Sequence, residues 1–313
     1  MTSVHSVRPT DLVALVAYDG RVYPNEAITR DRVGTEASPH LLETALEQWL
    51  SFARARHTWI SVKGATLRGL VSTRRRGSKA AWEIDCLIDA AEDDASVLTS
   101  LLERVIADAG KAGAEKVFLR VPAASDAVER ARHAGFCAYA TERLLARRAG
   151  APGAAPAVDG LRRYGRADAE PLFRLYNRWA PEVVRRIEAP TFREWQAAQE
   201  RISPTRGTRQ RVIERDGRIA GWLRTAVAGE AGRFDLIADP DEPALLDGLI
   251  DTALAMLAEQ ERLFTLAPEF APGLRERLER RGFAPEDEYA LLARPTVERV
   301  EVPALAQVQT SVA

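Results

Sequence analysis

The chain has little sulfur. Its 313 residues include two cysteines, Cys86 and Cys137, in separate apolar segments, and two methionines. There is no CxxC pair, and the four histidines (His5, His40, His57 and His133) are scattered singly. That spacing excludes a disulfide framework and a Cys/His zinc site, so no metal is expected. Both cysteines read as small buried hydrophobes. An excess of one charge is also missing: 44 Lys and Arg stand against 45 Asp and Glu, a net charge of −1. Nothing in that balance draws the whole chain to nucleic acid or to an anionic membrane. No apolar run approaches the ~20 residues of a membrane-spanning helix. The opening MTSVHSVRPTD has no apolar leader core, so a cytoplasmic location is expected. Core-forming residues, by contrast, are plentiful. Hydrophobic residues make up 46% and charged residues 28%, which is the composition of a folded protein, and the length suits two ordinary domains.

The chain repeats itself. ARHAGFCAYATERLLARR (131–148) has a partner in LERRGFAPEDEYALLARP (278–295). Between the halves lies AGAPGAAPAVDG (149–160), Ala, Gly and Pro with one charge, which reads as a linker. The expected divisions are 1–148, the linker 149–160, 161–295 and a tail 296–313. Asp11 in VRPTD corresponds to Asp168 in YGRADAE, Gly69 to Gly221, and Gly135 to Gly282. The offsets drift steadily downward, as a duplication followed by small loop deletions would leave them.

Each half runs through the same events. A short strand and an acidic helix start come first, then a second helical stretch, LLETALEQWLSFARAR or FREWQAAQERI. Next are hairpin strands whose turns, KGA and RDGR, supply the Gly and Asp that tight turns need. A long amphipathic helix follows, with Val97, Leu101 and Val105 on one face of the first copy. A strand, a short helix ending in Gly-Phe and a last strand complete the unit. The glycine of each Gly-Phe pair is expected to cap its helix in a left-handed conformation, with the Phe packing back on the sheet. The fold class is therefore α/β: two domains, each a mixed central sheet covered by helices on both faces.

This element order resembles the GNAT superfamily of acyl-CoA-dependent N-acyltransferases, present twice over nearly the whole chain. The resemblance rests on VRPTD, on WEIDCLIDAAEDDASVLTSLLERVIADA, and on ARHAGF and LERRGF, which look like the family's Tyr-x-x-x-Gly-Phe stretch. It implies acetyl-CoA or another acyl-CoA as co-substrate, held where the fourth strand meets the following helix, and a small-molecule or peptide amine as acceptor. At such a helix start, free N–H groups and the dipole hold a diphosphate, and glycines let it approach.

Both copies depart from that pattern. The first loop, IDAAEDDASVL, has no glycine and carries Glu92, Asp93 and Asp94. The second, IADPDEPALLDG, carries Asp239, Asp241 and Glu242, and Pro243 removes a donor. Acidic residues there cap a helix and repel a phosphate. The family's general-acid tyrosine falls on Ala131 and Leu278, leaving Tyr139 or Tyr289 to act only by another geometry. The second copy is the better acyl-CoA candidate, through backbone at Ile237, Ala238, Glu242, Ala244 and Leu245. The candidate bases are Glu83 and Asp85, two apart on one strand, and Asp235, the matching position in the second copy. Each is read either as part of a substrate-amine site or as a carboxylate paired with an arginine of a neighbouring strand.

Three other features complete the reading. STRRRGSK (72–79) is a basic hairpin tip, either a solvated turn or a phosphate contact. The helical stretch from Pro181 alternates Arg and Glu like an exposed, salt-bridged surface. Trp49, Trp179 and Trp195 would line an acceptor groove or fill core. Three functional readings stay open: an N-acyltransferase, a non-catalytic binding or scaffolding protein of the same fold, and an RNA-associated factor using the basic hairpin tip, which the near-neutral net charge disfavours. Whether the chain dimerises is open as well.

Overall fold

A computed structural model describes residues 3–8, 11, 25–30, 33, 56–64, 66–77, 80–91, 94–148, 158, 160–199, 207–271 and 273–296. The first half's two helical stretches, Trp49, nearly all of the linker and the tail beyond 296 lie outside the described residues. The first half supplies β1 (Ser3–Ser6), β2 (His57–Lys63), β3 (Thr66–Arg75), β4 (Ala81–Asp89), α1 (Ser96–Lys111), β5 (Lys116–Pro122), α2 (Ala127–His133) and β6 (Cys137–Arg148). The second supplies β7 (Leu161–Arg163), α3 (Ala169–Trp179), α4 (Glu182–Glu188), α5 (Phe192–Ala198), β8 (Arg209–Arg215), β9 (Arg218–Ala228) and β10 (Ala231–Ala238), then α6 (Leu245–Met256), β11 (Arg262–Pro268), α7 (Leu274–Glu279) and β12 (Ala284–Pro295).

All twelve strands belong to one sheet, in the order β1-β2-β3-β4-β5-β12-β6-β11-β10-β9-β8-β7. The halves exchange their last strands. β12 pairs antiparallel with β5, from Tyr289↔Pro122 to Pro295↔Lys116, and β6 pairs with β11, from Glu142↔Pro268 to Arg148↔Arg262. The two strands also pair with each other. The sequence divides between 148 and 161, but the sheet does not. Each half fills an edge that the other would leave open.

One face of the sheet carries α1 and α2 over the first half and α6 and α7 over the second. Leu101, Val105, Phe136 and Leu292 lie in one apolar cluster on this face, and Phe234, Leu249, Leu278 and Phe283 in another. The opposite face, the front, carries α3, α4 and α5 over the second half, packed through Leu175, Tyr176, Trp195, Trp222 and Ile237. The arginine-rich stretch after Pro181 is two short helices, not one. Pro190 cannot continue α4, and Thr191 starts α5 by accepting from Glu194 N at 3.2 Å. Trp195 is core.

The duplication is visible in matched geometry. Asp11 accepts from Arg8 N at 2.7 Å, and Asp168 accepts from Gly165 N at 2.7 Å. Gly135 and Gly282 are left-handed, at φ 81° and 82°. The following Phe136 N and Phe283 N reach back to Ala131 O and Leu278 O at 2.9 and 3.1 Å, as a Schellman cap requires. Both phenylalanines are buried. So are Ala131 and Leu278, which sit in core with no access to a site. Cys86 is buried as expected, but Cys137 is exposed, because it opens β6 beyond the covered part of the sheet.

Candidate active site

A parallel strand pair that separates leaves backbone donors and acceptors without partners, which is where a ligand rich in amides can bind. Both copies have such a wedge. β4 pairs with β5 only over Ala81↔Lys116, Trp82↔Val117 and Glu83↔Phe118. β10 pairs with β11 only from Ala231↔Arg262 to Phe234↔Thr265. Hydrogen bonds to the neighbouring strand show which residues face each wedge. Ala90 N donates to Arg68 O at 3.0 Å, so by alternation Leu87 and Asp89 face the first wedge. Asp239 N donates to Ala220 O at 2.8 Å, so Leu236 and Ala238 face the second.

The chain itself fills the first wedge. Glu26 N donates to Leu87 O at 2.8 Å, and Ile28 N donates to Arg120 O on β5 at 2.9 Å. Asn25 Oδ1 accepts from Leu87 N at 2.8 Å, and Asn25 Nδ2 donates to Asp85 O at 3.3 Å. Ala27 is fully buried and joins the core beneath α1, so the segment lies within the sheet opening between β4 and β5. Glu26 is fixed in turn by Ser125 Oγ at 2.7 Å.

The second wedge differs. Among the described residues, no segment hydrogen-bonds to Leu236 or Ala238 from inside it. In the second copy, Pro181-Glu182-Val183-Val184 stands where the first has Asn25-Glu26-Ala27-Ile28, an offset of 156. Pro181 has no N–H, and Glu182 onward forms α4 outside the wedge. Among the described residues, side chains meet at the wide end. Trp179 touches the apolar clusters on both faces, and Phe270 stacks on it edge-on at 4.8 Å.

The helix starts beyond the wedges are occupied by the chain's own groups. In the first loop, Ala91 N donates to Asp89 Oδ1 at 3.0 Å and Val97 N to Asp94 O at 3.2 Å. In the second, Asp241 N donates to Asp239 Oδ1 at 3.2 Å, Glu242 N to Asp239 O at 2.9 Å and Leu245 N to Glu242 O at 3.0 Å. The Asp239 side chain, fully buried, accepts from Arg178 Nη2 at 2.8 Å. Of the five backbone positions named from the sequence, Ala238 faces the wedge, Ile237 is turned to β9, Glu242 and Leu245 spend their N–H groups within the loop, and Ala244 immediately precedes α6. Leu236 belongs with Ala238 and was missed, because a one-residue parity is set by pairing that the sequence does not reveal.

Each candidate base has an arginine. Glu83 accepts from Arg74 Nε and Nη2 at 3.0 and 2.9 Å across the β3–β4 ladder. Asp85 pairs with Arg56. Asp85 is also the extra residue of a bulge, since Ser72 pairs with Cys86 and Thr73 with Ile84. Asp235 therefore matches Cys86 in the ladder, not Asp85, with Gly69↔Asp89 and Gly221↔Ala238 as the fixed points. Asp235 accepts from Arg224 Nη2 at 2.7 Å, with Arg30 Nε at 3.8 Å and Arg233 Nε at 3.9 Å. Burial pushes its carboxyl upward, but the three guanidinium charges outweigh burial and hold it far below the usual carboxylate range. A group so reluctant to take a proton is a poor base.

A second polar set lies on the front face, at the junction of the halves. Glu188 on α4 accepts from Tyr139 Oη on β6 at 2.9 Å and from Tyr176 Oη on α3 at 3.4 Å, with Arg76 Nη2 at 3.8 Å. Arg76 also lies over the Phe118 ring at 4.2 Å. Arg76 of the basic hairpin tip is thus docked against the second half, while Arg75 beside it is exposed. Beside it a groove is lined by Ala81, Lys116, Phe118, Glu188, Glu194 and Ala198 among others. Burial and the Glu188 charge push the Tyr139 phenol well above its usual value. Among the described residues, no group of His, Cys, Asp and Glu could hold a metal, and no helix is long and apolar enough to cross a membrane.

No family model and no curated protein matches the sequence. Solved structures match the fold. A GCN5-related N-acetyltransferase from Sphaerobacter thermophilus superposes with a TM-score of 0.57 at 14% identity, covering 96% of this chain and 98% of that one. A tandem GNAT protein from the clavulanic acid biosynthesis pathway gives 0.53 at 13%, covering 96% and 100%. N-myristoyltransferase from Saccharomyces cerevisiae, solved with myristoyl-CoA bound, gives 0.52 at 14%, covering 93% and 82%. The chain has the fold of two GNAT-like domains in tandem.

Proposed function

We propose that this tandem GNAT-fold chain is an acyl-CoA-dependent N-acyltransferase in which the second copy alone takes the acyl-CoA. The first copy serves as its structural partner. The observation that carries this reading is the contrast between the wedges: Asn25–Ile28 fills the first, and among the described residues no comparable segment enters the second. The backbone of Leu236 and Ala238 would hold the amide-bearing arm of the acyl-CoA, with Trp179 and Phe270 turning aside at the mouth. Ala244, at the start of α6, would lie nearest the diphosphate. The bound acyl-CoA supplies an activated acyl group. The fold neighbours with acyl-CoA in their names support that ligand class, and they do not choose between acetyl and a longer chain. A small-molecule or peptide amine is the acceptor this reading calls for, in the cytoplasm.

One observation favours the alternative, a non-catalytic binding or scaffolding protein. The second loop satisfies its own N–H groups and is acidic, so a diphosphate gains little there. Calorimetric titration with acetyl-CoA and with free CoA separates the two. One site per chain at micromolar ligand supports the transferase. No heat at millimolar ligand, with no shift in melting temperature, supports the alternative.

A further inference from the structure

The last turn of α3 spans the wide end of the second wedge. On the β10 side, Arg178 Nη2 donates to Asp239 Oδ2 at 2.8 Å and to Ile219 O at 3.3 Å. Asp239 directly follows Ala238, and its carboxylate is fully buried, so the bond pins this turn to the end of β10. On the β11 side, Trp179 meets the Phe270 ring edge-on at 4.8 Å, just beyond the end of β11 at Pro268. The helix stops here because Pro181 drives Ala180 into an extended conformation, with ψ 138°. Trp179 is therefore the last helical side chain. It packs against the cluster of Leu236, Ala238 and Ala267 behind the sheet and against that of Tyr176 and Ile237 in front. A side chain reaches both faces of a sheet only where the ladder is open, so the indole stands in the opening itself.

The two wedges are stopped by different chemistry. In the first, Glu26 N bonds to Leu87 O and Asn25 Oδ1 accepts from Leu87 N, so the strand's polar groups are satisfied. In the second, an aromatic ring excludes water without such bonds. Among the described residues, no hydrogen bond joins Trp179 to Leu236 or Ala238, although both of these are buried. Buried amides in that condition favour a ligand that brings amides of its own. The ring is held by packing alone. Trp179 and Phe270 are both half-buried, so the indole can turn outward without breaking a hydrogen bond, while Arg178 keeps the backbone of the turn in place.

We propose that the Trp179 side chain is the gate of the second wedge. Turned inward it shuts the opening, and turned outward it admits the amide-bearing arm of an acyl-CoA. This rests on the acyltransferase reading above. Arg178 is the positioning residue of the gate. The closed form dominates, because the open form gives up apolar contacts on both faces of the sheet. A site that is competent in only a fraction of molecules binds with an affinity lowered by that fraction. Minor conformations of this kind hold about 0.1–10% of the molecules, so the gate weakens acyl-CoA binding at least ~10-fold relative to an open wedge. An aromatic that merely lined the site would act in the opposite sense, and its removal would weaken binding.

The test uses the full chain and the variants Trp179→Ala and Trp179→Phe, with acetyl-CoA as the ligand. Calorimetry reports affinity, and amide exchange at single residues in the absence of ligand reports access to the wedge. The expected result is that Trp179→Ala binds acetyl-CoA at least ~10-fold more tightly than wild type, with Trp179→Phe between the two. Without ligand, Leu236 and Ala238 N–H exchange at least ~10-fold faster in Trp179→Ala, and Leu87 N–H in the first wedge is unchanged. Unchanged exchange at Leu236 and Ala238, or an affinity no higher in either variant, overturns the gate. With the wild type binding, that outcome leaves the acyltransferase reading standing. Binding by Trp179→Ala but not by wild type upholds the gate and overturns the reading, since the native wedge then stays shut. Binding by neither chain overturns the reading, and the ligand-free exchange still decides the gate. Melting temperatures verify folding. Trp179→Phe keeps a ring against Phe270 and carries the test where Trp179→Ala unfolds.

Discussion

Replacing Asn25 with Ala removes the side chain that joins the filling segment to the first wedge. Its Oδ1 accepts from Leu87 N at 2.8 Å and Ala27 N at 3.0 Å, and its Nδ2 donates to Asp85 O at 3.3 Å. Leu87 and Ala27 are fully buried, so water does not readily replace those bonds. A net hydrogen bond is worth about 0.5–1.5 kcal/mol, and an orphaned buried amide costs about 1–3 kcal/mol. Leu87 N–H belongs to the rigid sheet and bears the full cost. Ala27 N–H lies in the segment itself and can relax. The sum is a loss of about 2–4 kcal/mol. Urea denaturation measures it as a lower midpoint at constant slope. A loss under about 0.5 kcal/mol would mean that Asn25 does not hold the segment in place. The claim that the first copy is closed by its own chain would then fail.

Three further outcomes follow from the packing. Asp235→Asn removes the carboxylate that Arg224 pairs with, both residues being buried, and should cost about 3–5 kcal/mol at pH 7. Because the folded-state carboxyl is held below its unfolded value of about 3.9, the stabilisation is complete above that pH and is lost as pH falls toward the folded value. The wild-type advantage over Asp235→Asn in chemical denaturation should therefore persist at pH 5 and narrow only below about pH 4. Gly69→Ala places a Cβ 2.9 Å from Leu101 Cδ1 and 3.1 Å from Ile88 O, whereas Gly221→Ala meets its nearest atoms at 3.3 Å. The first should lower stability by about 1–3 kcal/mol and the second by less, and equal losses would show that α1 and α6 adjust equally. A chain ending before Ala284 loses β12 and exposes the edges of both β5 and β6. It should aggregate in light scattering, while a folded monomer with native circular dichroism would refute the exchanged-strand topology.

Much of this was legible in the sequence. The repeat, the helix periodicity and the Gly-Phe caps all depend on neighbours within a few residues, and Gly135 and Gly282 behave as such local signals predict. The α/β class followed from element order. The arginine partners of Glu83 and Asp235 could be foreseen in kind, since a strand carboxylate needs a cation, but not in identity. What escaped is what depends on pairing between distant strands. β12 lies beside β5 because the halves exchange ends, and no residue in YALLARP announces that. Asn25 carries only a turn signal after Pro24, yet it closes a wedge 60 residues away. The Asp85 bulge changes which residues match by one position, which sequence offsets cannot resolve.

The central claim is that one wedge is closed by the chain and the other receives the ligand. The most direct measurement is amide hydrogen exchange, resolved to single residues, with and without acetyl-CoA. Leu87 N–H, bonded to Asn25, should be protected in both conditions and unchanged by ligand. Leu236 and Ala238 N–H should gain protection when acetyl-CoA is present. Ligand-dependent protection at Leu87, with none at Leu236 and Ala238, would contradict the account by placing the ligand in the first copy.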